Sequence, residues 1–87
     1  MTDEVLRALA HPVRRELVRA CLHGARPAGE LVELAGLAPA SVSEHLKVLR
    51  KSGVLVLERR GRYRLYSADR EVIAAAAREL AALSSGG

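Results

Sequence analysis

The sequence predicts a mainly α fold, about five helices with one small β-hairpin, and three observations carry that prediction. Pro39 to Gly53 has helical periodicity, with proline at the start, where no N–H is needed, and glycine just past the end. A shorter helical segment, Ala28 to Ala35, closes on Gly36, and only Leu37 and Ala38 separate that glycine from Pro39. After Gly53 the pattern changes to β-branched and aliphatic runs interrupted by Glu58-Arg59-Arg60-Gly61-Arg62.

In chain order, Asp3 to Ala10 predicts a short first helix with Val5, Leu6 and Leu9 apolar. His11-Pro12 interrupts it, because the residue before proline is pushed out of the helical region. Pro12 opens a second helix to about Leu22, with Val13, Leu17 and Cys21 inward, Val18, Ala20 and Leu22 widening the stripe, and Gly24 as the stop. Arg26-Pro27 restarts the chain. The third helix carries Leu31, Leu34 and Ala35 on its apolar side, and Gly36 permits the left-handed turn that ends it. Val54 to Leu57 and Tyr63 to Tyr66 read as a hairpin with Gly61 at the turn. Asp69 and Glu71 place acid in the first turn of a last helix through Ile73 to Leu83, rich in alanine. Ser84-Ser85-Gly86-Gly87 is a fraying tail.

A short helix, a glycine turn and a second helix make a helix-turn-helix unit, and a hairpin behind it makes a wing. At about 100° per residue, Val42, Leu46 and Leu49 fall on one face of the second helix. Ala40, Ser43, Glu44, Lys47 and Lys51 fall on the other. Small and polar groups followed by cations suit a helix lying in the DNA major groove.

Charge agrees with that expectation. Between Pro39 and Tyr66 stand seven cations and two acids, a net +5, while the rest of the chain carries seven cations and eight acids, −1. Such an asymmetry favours a polyanionic partner. With 87 residues, two tyrosines and neither Phe nor Trp, the core must come from Leu, Val and Ala. A core that thin often gains stability by dimerising. One cysteine excludes an internal disulfide and fits a reducing cytoplasm, and neither a signal peptide nor a membrane span is visible.

Leu9-Ala10-His11-Pro12-Val13-Arg14, the Glu30-Leu31 to Gly36-Leu37 segment, Val42-Ser43 with His45-Leu46-Lys47-Val48-Leu49, and Gly53-Val54-Leu55 with the Arg-Gly-Arg hairpin resemble the ArsR-type winged helix-turn-helix repressors. The resemblance covers residues 4 to 83. It implies a homodimer joined through the first and last helices, repressing transcription from a palindromic operator. It also implies DNA contacts from the start and middle of the second helix of the motif, here Ala40, Ser43 and Glu44 with Ser41 close by. The family's metal sensors use paired cysteines on the helix before the turn or an Asp/His set on the last helix. Gly29 to Leu34 has no cysteine and the last helix no histidine, so no metal and no cofactor are expected. Val32 replaces a usual small alanine, which predicts a slightly wider crossing of the two motif helices. Ala38 replaces the usual Ser or Thr cap, at a cost of about 1 kcal/mol.

Each candidate has a plainer alternative. Ser43 and Glu44 could read bases, or form a solvated face with Glu44 paired to Lys47. Lys47 and Lys51 suit phosphates, and His45 sits at the edge of the buried stripe, open to a DNA contact or a packing role. Arg59, Arg60, Arg62 and Arg64 could reach phosphate or minor groove, or merely protect a strand edge. Cys21 reads as a buried, inert thiol rather than a redox sensor. His11 helps start the second helix and His23 is solvated. The expectation is therefore one domain, 1–87, with 1–10 and 69–83 dimerising through Val5, Leu6, Leu9, Ile73, Ala76, Ala77, Leu80 and Leu83. Its function would be that of a cytoplasmic double-stranded-DNA-binding regulator rather than an enzyme. The rival is a winged-helix protein-interaction module that binds nucleic acid only non-specifically.

Overall fold

The computed structural model describes residues 2–86. Its elements are α1 (Thr2–Leu9), α2 (Pro12–Ala20), β1 (Arg26–Pro27), α3 (Ala28–Ala35), α4 (Pro39–Lys51), β2 (Leu55–Arg60), β3 (Tyr63–Ala68) and α5 (Arg70–Ser84). Five helices and a wing therefore stand where the periodicity put them.

The break between α1 and α2 is built by His11, whose backbone is extended and whose Nδ1 accepts from the Val13 N–H at 3.3 Å. Arg15 donates to the Leu9 carbonyl at 2.6 Å and closes the end of α1. The second helix ends at Ala20, earlier than the expected Leu22 and well before Gly24. Its terminal carbonyls are taken by distant donors: Arg26 reaches Ala20 O at 3.0 Å, the Ala68 N–H reaches Cys21 O at 3.1 Å, and Arg70 reaches Leu22 O at 2.8 Å. Carbonyls satisfied from outside need no further helical turn.

Arg26-Pro27, expected only as a restart, forms a third strand. It pairs antiparallel with β3, Arg26 opposite Tyr66 and Pro27 opposite Leu65, giving the order β1-β3-β2. Proline is tolerated there because the strand lies at the sheet edge. The wing is thus anchored on both sides of β3.

The core is aliphatic. Leu17, Leu31, Leu49, Leu55, Val42, Val54 and Cys21 are fully buried, with Val5, Ala8, Val18, Leu46, Tyr66 and Ala76 completing the cluster. In α2, Val18 is buried and Val13 only partly so, which turns the inner face slightly from the expected one. Leu34, expected on the apolar side of α3, is 57% exposed, whereas Leu31 is fully buried.

Gly36 ends α3 at φ 65°, donating to Val32 O at 3.2 Å, and so sets the angle at which α4 departs. Pro39 begins α4, but Ala38 offers no side-chain cap to its first N–H groups. Ala38→Ser should therefore raise stability by about 1 kcal/mol. In thermal denaturation that corresponds to about 4–8 °C for a domain of this size. No change in melting temperature would show that those N–H groups are already well solvated.

Asp69 caps α5, its Oδ1 accepting from the N–H groups of Glu71 and Val72 at 3.1 and 3.3 Å. Beyond Ala76 the helix leaves the core. The molecule is 48 Å long but only 24 by 19 Å across, and Ala77 to Ser84 are all exposed. Among the described residues no helix is long and apolar enough to cross a membrane.

Candidate nucleic-acid interface

The outward face of α4 follows from its buried one. Val42 and Leu49 are fully buried and Leu46 nearly so, which turns Ala40, Ser41, Ser43, Glu44, Lys47 and Lys51 outward, all exposed. Small groups lie at the N-terminal half, where an uncovered backbone can come close to a base edge, and the lysines follow within two turns. Among the described residues Glu44 makes no salt bridge with Lys47, and both side chains are exposed.

The wing is divided by its register. Leu55 faces Ala68, Leu57 faces Tyr66 and Arg59 faces Arg64 across the strands. Directly opposed residues share a sheet face, and faces alternate along a strand. Arg59 and Arg64 therefore continue the helix-bearing side, where Leu55 and Tyr66 are buried. Arg60 lies on the other side opposite Tyr63, and its guanidinium is held by Glu58 at 3.2 and 3.3 Å. Arg62 follows Gly61 in the two-residue turn, where Gly61 adopts φ 59°. The sequence counted four equivalent arginines, but the fold separates an unpaired, like-charged couple from one already neutralised. Two cations opposed across a ladder repel each other, and an anion between them relieves that cost.

His45 occupies the edge of α4, half-buried. Its Nδ1 accepts from Arg14 Nε at 3.2 Å, and its ring lies 4.6 Å from that of His11, tilted by 56°. Burial, and then the nearby His11 and Arg14, hold the His45 ring below its ordinary pKa, with Glu44 acting the other way. Arg14 was not singled out in the sequence. Positions 31 residues apart form no local motif, so nothing in the pattern connects it to His45.

Cys21 is buried, and burial pushes its thiol up to about 11 despite Arg26 nearby. A thiol so held is protonated near neutrality and a poor nucleophile or metal ligand. Among the described residues no group of three or more His, Cys, Asp or Glu could hold a metal ion.

Of the expected dimer residues, Val5 and Ala76 are buried within the single chain, at 4% and 3% exposure, and support the surface rather than form it. Leu6, Leu9 and Ile73 are partly buried, Ala77 is exposed, and Leu80 and Leu83 are 50% and 80% exposed. Leu9 and Ile73 also line a shallow cleft of about 220 Å³ with Val18 and Leu22. A larger cleft, about 350 Å³, opens between α1, the end of α4 and α5, with Lys51 among its lining residues.

Comparison with known proteins agrees with this geometry. A family model described as a helix-turn-helix domain matches residues 9–58. The HTH-type transcriptional repressor SmtB of Mycobacterium tuberculosis is 44% identical over 63 residues, which is 72% of this chain and 47% of that protein. The chain spans about half the length of this curated relative. Among solved structures, the ArsR family transcriptional regulator RHA00566 superposes with a TM-score of 0.84 at 27% identity, covering 94% of this chain and 84% of that one. The homodimeric winged helix-turn-helix DNA-binding domain of Mb0332 from Mycobacterium bovis gives 0.77 at 20% identity, over 94% of this chain and 77% of that one, and shares the fold.

Proposed function

Because the chain belongs to the ArsR-type winged helix-turn-helix regulators, we propose that it represses transcription as a homodimer bound to a palindromic DNA operator. The observation that carries this reading is the outward face of α4: small side chains and two lysines, exposed along one side of a helix whose other side is locked into the core. The Arg59–Arg64 couple supports it, since a like-charged pair on the helix-bearing face is stabilised by a phosphate backbone. Ala40, Ser41, Ser43 and Glu44 approach base edges, and Glu44 is suited to accept from a cytosine amino group. Lys47, Lys51, Arg59, Arg62 and Arg64 neutralise phosphates.

Two copies are joined through α1 and α5, leaving their α4 helices about 34 Å apart, one turn of duplex. The domain from M. bovis is itself a homodimer. Regulation proceeds without the paired-cysteine metal site, since Gly29 to Leu34 holds no cysteine.

Footprinting on DNA upstream of the coding sequence tests the proposal. A protected palindrome should resist excess random duplex by at least about 10³-fold. Equal competition by random duplex would instead favour the interaction-module reading, in which α5 docks a protein partner.

A further inference from the structure

A helix of 10–12 Å diameter fills a major groove about 12 Å wide, so its edges come against the two phosphate strands at the rim. One edge of α4 carries Ser41 and, one turn on, His45. Behind that edge stand His11, at the α1–α2 break, and Arg14, in the first turn of α2. Neither belongs to the two motif helices.

The hydrogen bonds of this cluster decide what it can bind. His11 Nδ1 accepts from Val13 N–H and His45 Nδ1 accepts from Arg14 Nε, so each neutral ring carries its proton on Nε2. Neither Nε2 has a protein partner among the described residues, and no buried side-chain polar atom there lacks one, so His45 Nε2 reaches water. A ring protonated on Nε2 offers a metal no lone pair there, but it offers an anion a donor. Two such donors stand on rings 4.6 Å apart, beside the guanidinium of Arg14.

We infer that His11, Arg14 and His45 form a clamp for one DNA backbone phosphate at the groove rim, a contact supplied from outside the helix-turn-helix motif. The inference rests on the DNA-binding reading above and adds to it a site whose strength depends on pH. The charges around His45 are His11 and Arg14, which disfavour its protonation, and Glu44, which favours it. On α1, Glu4 and Arg7 lie further along, in the cleft beside Val48 and Lys51. In the free protein burial, His11 and Arg14 together hold His45 below its ordinary pKa. A bound phosphate adds opposite charge and favours the protonated His45 ring. A proton on His45 Nδ1 displaces Arg14, whose freed guanidinium turns to the same phosphate. Binding then takes up protons, and affinity rises as pH falls.

The test uses the full chain and a random-sequence duplex, since a phosphate contact is indifferent to sequence. Wild-type affinity should increase about three- to tenfold from about pH 8 to about pH 6, within the tenfold per unit that one proton allows. His11→Gln/His45→Gln should abolish that increase, and Arg14→Gln should lower affinity and flatten the salt slope by about 1 per subunit. His11→Gln alone, at an exposed ring, guards against misfolding of the double variant and should lower affinity by removing one donor to the phosphate. A double variant that binds duplex with undiminished pH dependence overturns the clamp alone. A wild-type protein that binds no duplex overturns the DNA reading, and the clamp with it.

Discussion

At about pH 8, where the Arg14 clamp is disengaged, duplex binding by the proposed dimer should weaken with salt along a log–log slope near −9, a loss of about 10⁵ in affinity between roughly 50 and 200 mM. The figure follows from five cations per subunit that are exposed and unpaired among the described residues, Lys47, Lys51, Arg59, Arg62 and Arg64, each releasing about 0.9 counterion. Arg59→Ala/Arg64→Ala removes four of these across the dimer. The slope should then fall to about −5, with affinity at about 0.1 M salt reduced about 10³-fold. Arg60→Ala should cost far less, because Glu58 already neutralises that guanidinium on the opposite face of the wing. A wild-type slope flatter than about −3 would defeat the interface proposed here. Equal losses from Arg60 and from the Arg59–Arg64 couple would show that the face division of the wing does not govern contact.

That division shows where sequence reading stops. Alternation along Tyr63 to Tyr66 is visible in the sequence, but which arginine meets which depends on register, and register is fixed by the whole ladder down to Leu55 opposite Ala68. The third strand was illegible for a related reason. Two residues have no periodicity, one of them is proline, and Arg26-Pro27 becomes a strand only because β3 lies alongside. The end of α2 was misjudged because its carbonyls are satisfied by Arg26, Ala68 and Arg70, all distant in sequence or outside the helix. By contrast, α4 could be read almost to the residue. Pro39 and Gly53 punctuate it, and Val42, Leu46 and Leu49 repeat at a spacing only a helix places on one face. Its outward residues were legible by subtraction, whereas the His11–Arg14–His45 cluster was not, since it joins a chain break to a helix one-third of the sequence away.

The second large effect concerns assembly. Leu80→Glu/Leu83→Glu should convert the proposed dimer to a monomer while leaving each chain folded. The two leucines are 50% and 80% exposed within one chain, so their replacement removes little from the core that holds Leu17, Leu31 and Leu49. On a seam, however, each acid would be desolvated opposite its own symmetry mate, and like charges brought together there cost far more than the lost apolar area. Sedimentation should show one chain where the wild type shows two. DNA affinity should fall about 10²- to 10⁴-fold, because each α4 then finds its half-site independently instead of at the millimolar effective concentration set by its tethered partner. The salt slope separates this loss from a damaged interface. A folded monomer presents its own five cations and should give about −4 to −5, half the dimer's value. Wild-type protein that sediments as a single chain at the concentrations where it protects DNA would remove the seam from the account, and with it the palindrome.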